Sequence, residues 1–193
     1  KLKRFKIKIL IPGINECYAD FRTDGDKFYY ALGAIKAVGY DAVSNIVEER
    51  IKNGKFNSIN DFLNRVNPKD INKLQLEGLV KAGAFDSIFQ NRKVLFDNIP
   101  NIIQTSKTIY ENKVQNQSSL FSDDTSKVSY LLHDKKLSHW PNDEVLTKEV
   151  QAVGFYISDH PLSDFKDTLT QHKVRSFKEF ENSNETESFI AGT

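Results

Sequence analysis

The chain has 193 residues, 39% hydrophobic and 27% charged, the make-up of an ordinary soluble chain of one to two domains. Its formal net charge of +1 excludes whole-surface attraction to nucleic acid, so any such contact has to be local, and the single cysteine, Cys17, excludes an internal disulfide and a multi-cysteine zinc site and fits a reducing, cytoplasmic setting. No apolar run approaches bilayer length, and KLKRFKIKIL alternates Lys with Ile and Leu instead of forming a signal peptide's apolar block, so no membrane partner is expected.

FKIKILIP alternates with period two, and DFRTDGDKFYY sets Asp24 and Gly25 between short aromatic runs, so residues 1–30 read as strands ending in a β-hairpin. From Ala31 the period changes. Ile35 and Val38 lead to Gly39, after which Ala42, Val43, Ile46, Val47 and Ile51 recur at helical spacing until Gly54. In FNSINDFLNRV, Ser58 is placed to cap a short helix carrying Ile59, Phe62, Leu63 and Val66, which Pro68 stops. The next helix, Asn72 to Ala82, presents Leu74, Leu79 and Val80 and ends at Gly83, where a left-handed cap is expected. A longer helical pattern runs from Asn91 toward Tyr110 on Leu95, Ile99, Ile102 and Ile103, with Pro100 as a kink.

Between Asn112 and Pro141 the composition turns to Ser, Asn, Gln, Asp and Lys, apart from Leu120-Phe121 and a small group from Val128 to Leu132. That is the composition of a linker. Helical spacing resumes at Val145, Leu146, Val150 and Val153, breaks at Gly154, and returns weakly in LSDFKDTLTQH before a terminal strand signal at FIAGT. The expectation is a mainly α chain of two ordered blocks joined by a tether. It opens on Lys1, contains no Met and stops as an apolar run begins, and so reads as a piece of a longer protein.

LGAIKAVGYDAVSNIVEER, Leu32 to Arg50, has the layout of a helix-hairpin-helix: a short helix, a tight turn at Ala37-Val38-Gly39 and an amphipathic helix. Backbone N–H groups at such a turn and helix start lack intrahelical acceptors and sit at the positive dipole end, which suits a phosphate oxygen. Gly39 permits close approach, Val38 anchors the turn and Lys36 adds a charge-assisted contact; the DNA-facing set is Lys36, Ala37, Val38, Gly39 and Tyr40. Contacts of this kind grip the DNA backbone without reading sequence. The alternative is a plain helical corner with a glycine turn, and Asp41 beside the turn favours that reading. Lys69, Lys73, Lys81, Arg92 and Lys93 either extend the DNA-facing surface or are simply solvated.

ILIPGINECYADF, YALGAIKAVG with IVEER, FNSINDFLNRV, LEGLVKAGAFD with Asn91-Arg92, and EVLTKEVQAVGFYISDHPL form an ordered series that closely resembles the bacterial replicative DNA polymerase III alpha subunit family. The resemblance covers roughly the first hundred residues and then Trp140 to Leu162. It implies the end of a fingers region over 1–30, a helix-hairpin-helix DNA-binding domain over 31–111, a clamp-binding tether over 112–141, and over 142–193 a helical lead-in to a truncated oligonucleotide-binding (OB) fold. It also implies that catalysis lies in the parent's palm, where magnesium is expected, so that this piece carries no catalytic residue and no cofactor of its own. Ala37 stands where the family usually has the first hairpin glycine, Gly13 where Asp follows Pro12, and Asp159 where Gly precedes His160.

Within the tether, Gln117-Ser118-Ser119-Leu120-Phe121 fits the QxxLF pattern of sliding-clamp ligands, with Leu120 and Phe121 as the docking pair and the Gln117 amide for backbone groups at the pocket rim. The partners so implied are duplex primer–template DNA, the sliding clamp, and other domains and subunits of the polymerase III holoenzyme. Two other classes compete: a self-contained nuclease, against which the lack of a clustered carboxylate or His motif counts, and a structural module that packs on other polymerase domains without touching DNA. His133 and His139 are not spaced as a metal pair, His160 before Pro161 reads as a turn-ordering residue, and Cys17 as a small buried thiol.

Overall fold

The computed structural model describes residues 7–114, 138–183 and 186–192. At the N-terminus three short strands, β1 (Lys8–Leu10), β2 (Arg22–Asp24) and β3 (Lys27–Tyr29), form a sheet of order β1-β3-β2. β2 and β3 pair antiparallel with Asp24 opposite Lys27, leaving the two-residue loop Gly25-Asp26 in which Gly25 takes a φ of 58°. This is the expected hairpin. β1 runs parallel to β3 with Lys8 opposite Lys27, and the chain between β1 and β2 is no strand. It is a buried loop whose amides are satisfied elsewhere, Ile14 donating to the Ala84 carbonyl at 2.7 Å and Cys17 to Gly13 at 2.8 Å. Cys17 is fully buried, and burial pushes its thiol pKa up.

Two long side chains fasten this loop to the helices. Asn15 copies a backbone pairing with Phe56: its Nδ2 donates to the Phe56 carbonyl and its Oδ1 accepts the Phe56 amide, both at 2.8 Å. The buried Arg50 guanidinium donates through Nη1 to the carbonyls of Ile14 at 2.7 Å and Cys17 at 2.6 Å. Burial lowers the Arg50 pKa, and the two carbonyl dipoles stand in for the water it has lost.

The helical body follows. α1 (Tyr40–Asn53) ends at Gly54 with a φ of 86° and buries Val43, Ile46, Val47 and Arg50. Ile51, expected on that stripe, is 67% exposed, because the buried face turns through Arg50 instead. α2 (Ile59–Arg65) is capped by Ser58, whose hydroxyl accepts the Asp61 amide, and buries Ile59, Phe62 and Leu63. Pro68 then opens a 3-10 turn, Pro68–Asp70. α3 (Lys73–Lys81) starts in a capping box, Asn72 accepting from the Gln75 amide while the Gln75 side chain accepts from Asn72, and Gly83 follows with a φ of 78°. Leu79 and Val80 are buried as expected, whereas Leu74 lies one position from the start, where the helix faces solvent, and is 62% exposed.

The single helix expected over 91–110 is two, α4 (Arg92–Asp97) and α5 (Ile99–Val114), broken at Asn98. Pro100 therefore sits in the first turn of α5, where its missing N–H costs nothing, and makes no kink. Phe56, Phe62 and Phe85 join the layers edge to face, with ring centroids 5.2 Å apart at each step.

The second ordered block is not separate from the first. α6 (Asn142–Val153) packs on α3, and Trp140 just before it is buried against Phe96 of α4 at 5.5 Å between ring centroids. Gly154 closes α6 in the left-handed conformation. A 3-10 turn (Ser163–Phe165) leads into α7 (Lys166–Gln171), and α8 (Phe177–Glu181) follows with a Ser176–Glu179 capping box. The strand expected at FIAGT is not formed in described residues 186–192; one backbone bond, from the Arg175 amide to the Phe189 carbonyl at 3.1 Å, draws that segment in.

Candidate nucleic-acid interface

The helix-hairpin-helix turn lies between the N-terminal loop and the start of α1. Its first helix, expected from Leu32, is only a 3-10 turn, Leu32–Ala34. Gly33 disfavours helix, and the amides of Leu32 and Gly33 are drawn to the carbonyls of Tyr18 at 2.8 Å and Ala19 at 3.0 Å rather than into a ladder. A Cβ on Gly33 would stand 2.8 Å from the Ala19 oxygen, so this approach requires glycine.

Val38 is buried and its amide closes the turn on the Ile35 carbonyl at 3.1 Å. Ala37 has a φ of 65°, a left-handed conformation that glycine adopts freely and alanine adopts at a penalty of about 1–2 kcal/mol. The turn thus keeps its shape without the glycine. Gly39 is the N-cap of α1 with an ordinary φ of −75°, and an added Cβ would meet only the far end of the Gln75 side chain, Nε2 at 3.3 Å, which has to shift by no more than a few tenths of an ångström to admit a larger residue.

Behind the turn stands Gly78 of α3, where a Cβ would come within 2.7 Å of the Lys36 carbonyl and 3.1 Å of Val38 Cγ2. On the other side the Lys36 amide donates to the Ala152 carbonyl, the last full turn of α6, at 2.8 Å. The hairpin is held from both sides.

Its solvent side is open. Lys36, Ala37, Gly39 and Tyr40 are exposed, and no side chain caps α1, since Gly39 has none to offer. The amides of Ala37, Gly39, Tyr40, Asp41 and Ala42 donate to no described residue, and Lys36 makes no ion pair with one. N–H groups at the positive end of a 14-residue helix suit an anion by charge and by their open donors. Two carboxylates temper it: Asp41 in the first turn, and Asp20, which accepts the Tyr40 hydroxyl at 3.0 Å and by that bond raises the Tyr40 pKa.

Of the cations considered as an extension, Arg92 is withdrawn from solvent. It donates to Asp86 through Nε at 2.9 Å and Nη2 at 2.6 Å and to Glu149 through Nη1 at 2.8 Å. Burial opposes its charge, but the bonds to Asp86 and Glu149 win and raise its pKa. Burial likewise raises the Asp86 pKa despite Arg92. Gly83 makes the room for this pair, since a Cβ there would collide with the guanidinium. Lys73 and Lys93 pair with Glu77 and Asp97 on their own helices, Lys81 lies over the Phe96 ring, and Lys69 is exposed.

Gln117, Ser118, Ser119, Leu120 and Phe121 lie outside the described residues, as does His133. His160 orders its turn as expected, its Nδ1 accepting the Leu162 amide at 3.2 Å. Among the described residues no group of three or more His, Cys, Asp or Glu side chains is arranged to hold a metal ion, and no helix is long and apolar enough to cross a membrane. The supports that sequence reading missed are Asn15, Arg50, Gln75, Gly78 and Glu149. Only Gln75 carried a local signal, the Asn-x-x-Gln spacing of a capping box.

A family model described as a helix-hairpin-helix motif matches residues 6–95. Proteins named DNA polymerase III subunit alpha are similar over most of the chain: 37% identical over 169 residues in Borreliella burgdorferi, 34% over 172 in Caulobacter vibrioides and 40% over 175 in Campylobacter jejuni. These matches take in 86%, 89% and 88% of this chain but only 15%, 15% and 14% of the relatives. With the hairpin, its glycine contacts and the docked α6 all inside the matched length, the chain belongs to the DNA polymerase III alpha subunit family as one segment of such a protein.

Proposed function

We propose that this segment binds duplex primer–template DNA by its phosphate backbone through the Lys36–Tyr40 hairpin, as a noncatalytic part of a DNA-directed DNA polymerase. The observation that carries the reading is the set of amides at the start of α1 that have no partner among the described residues, beside an exposed Lys36 that pairs with none of them. Phosphate oxygens accept from such groups at any sequence, which is what a replicative enzyme needs from a domain that holds its product. Nucleotidyl transfer and its magnesium are assigned to the palm of the parent, outside this chain. The test is duplex binding as a function of salt, since phosphate contacts release counterions and weaken steeply as salt rises.

The tether adds a second contact. Gln117-Ser118-Ser119-Leu120-Phe121 binds the sliding clamp, Leu120 and Phe121 each contributing about 1.5–3 kcal/mol on entering a pocket. A clamp encircling DNA and a hairpin gripping the same DNA act as a bivalent pair, so modest contacts combine through effective concentration. A second reading, in which the hairpin packs on another polymerase domain and never meets DNA, draws support from Asp41 and Asp20 at its edge. Salt-independent behaviour would favour it.

A further inference from the structure

Glu149 is fully buried in α6, yet both of its oxygens are engaged. Oε1 accepts from Arg92 Nη1 at 2.8 Å, and Oε2 accepts from the Ser158 amide at 3.1 Å and the Ser158 hydroxyl at 2.9 Å. One carboxylate therefore joins three parts of the chain: α4 through Arg92, α6 itself, and the segment after Gly154 through Ser158. Arg92 in turn is fixed by Asp86, which lies in the loop that follows Gly83. A buried carboxylate so placed is expensive to leave unpaired, so the α6 position is set by this cluster rather than by apolar contact alone.

One turn further along α6, Ala152 offers its carbonyl to the Lys36 amide. An α6 carbonyl at this position would ordinarily accept within its own helix, but the helix ends at Val153 and Gly154, which frees it. The hairpin is thus hydrogen-bonded to the end of a helix whose place is set by Glu149. α6 follows the tether in sequence and precedes the 154–192 segment, so its docking joins both to the hairpin.

We infer that Glu149 is a positioning residue for the hairpin: by locking α6 against α3 and α4 it presents the Ala152 carbonyl to Lys36 and holds the Lys36–Tyr40 turn in its anion-seating shape. The latch couples the hairpin to what lies on either side of α6. A load on the tether or a shift of the following segment that lifts α6 releases the Lys36 amide and loosens the grip. The coupling to DNA rests on the reading above that the hairpin binds duplex, whereas the latch itself does not.

The experiment compares the full chain with Glu149→Gln and, as a milder variant that removes only one donor to Oε2, Ser158→Ala. Amide hydrogen exchange is read at Lys36 and at interior positions of α1 and α3, with duplex affinity measured alongside. The latch predicts that exchange at Lys36 accelerates by about tenfold or more while interior amides such as those of Val47 and Leu79 keep their protection, and that duplex affinity falls by about threefold or more. Unchanged Lys36 exchange in a folded Glu149→Gln chain overturns the latch. Accelerated exchange with unchanged affinity, in a wild-type chain that does bind duplex, overturns its link to DNA. A wild-type chain that binds no duplex defeats the function proposed above, and the exchange rates still decide the latch. Should Glu149→Gln fail to fold, Ser158→Ala decides by the same readings.

Discussion

Gly78 of α3 faces the backbone of the hairpin, with the site of its absent Cβ 2.7 Å from the Lys36 carbonyl oxygen. That oxygen belongs to a turn fixed by Ala152 and Ile35 and has little freedom to retreat. Gly78→Ala gains helix propensity worth about 1 kcal/mol but forces an overlap costing about 1–3 kcal/mol, and the overlap wins. A net loss of up to about 2 kcal/mol in urea unfolding is expected, together with accelerated amide exchange at Lys36. Stabilisation by Gly78→Ala would mean that α3 and the turn are not in this contact.

Ala37 gives the opposite sign. Its φ of 65° is relieved by glycine, which offsets the wider freedom of glycine in the unfolded chain. Ala37→Gly is expected to stabilise the chain by about 0.5–1 kcal/mol, and Ala37→Val to destabilise it by more than that, both measured by thermal or urea unfolding.

These two residues mark where the sequence was legible and where it was not. Ser58 and Asn72 announce their helices because a cap is a local device, and Gly25, Gly54 and Gly83 announce turns because a positive φ is a local demand. Spacing alone puts Ile51 and Leu74 on buried faces, yet which face of a helix is covered depends on partners far away in the chain. Arg50, Asn15 and Glu149 look like surface residues by type. Their acceptors and donors are 36, 41 and 57 positions distant for Ile14, Phe56 and Arg92, and no window of sequence contains both ends. The hairpin itself was legible as a turn with five candidate residues, but its clamping by Gly78 and Ala152 was not.

Glu49 supplies a pH dependence. Hydrogen bonds from Asn53 at 2.9 and 3.0 Å, then from Arg65 at 3.0 Å, hold its carboxyl below the usual 4.5. A carboxylate with a depressed folded pKa contributes stability that is fully present above the unfolded value and is lost as pH falls through the folded one. Stability should therefore decline as pH drops below 4.5, and Glu49→Gln should lose less on acidification than the wild type. Parallel pH profiles for the two proteins would exclude this contribution.

For the tether, replacing Leu120 and Phe121 together with Ala should abolish binding to purified sliding clamp in a pull-down or surface-resonance assay while leaving duplex affinity unaltered. Retained clamp binding in that double variant would end the proposed role of the QSSLF sequence.

The central claim, that the start of α1 seats a DNA phosphate, is tested most directly by fluorescence anisotropy of the chain against duplex DNA over a salt series, wild type beside Gly39→Asp. Asp is a good N-cap, so the variant should fold with stability within about 0.5 kcal/mol of the wild type while its carboxylate takes the open amides and repels phosphate. The account predicts wild-type affinity that falls steeply with salt, alike for all sequences, and its near loss in Gly39→Asp. Duplex affinity that ignores salt, or that survives intact in a folded Gly39→Asp chain, would contradict it.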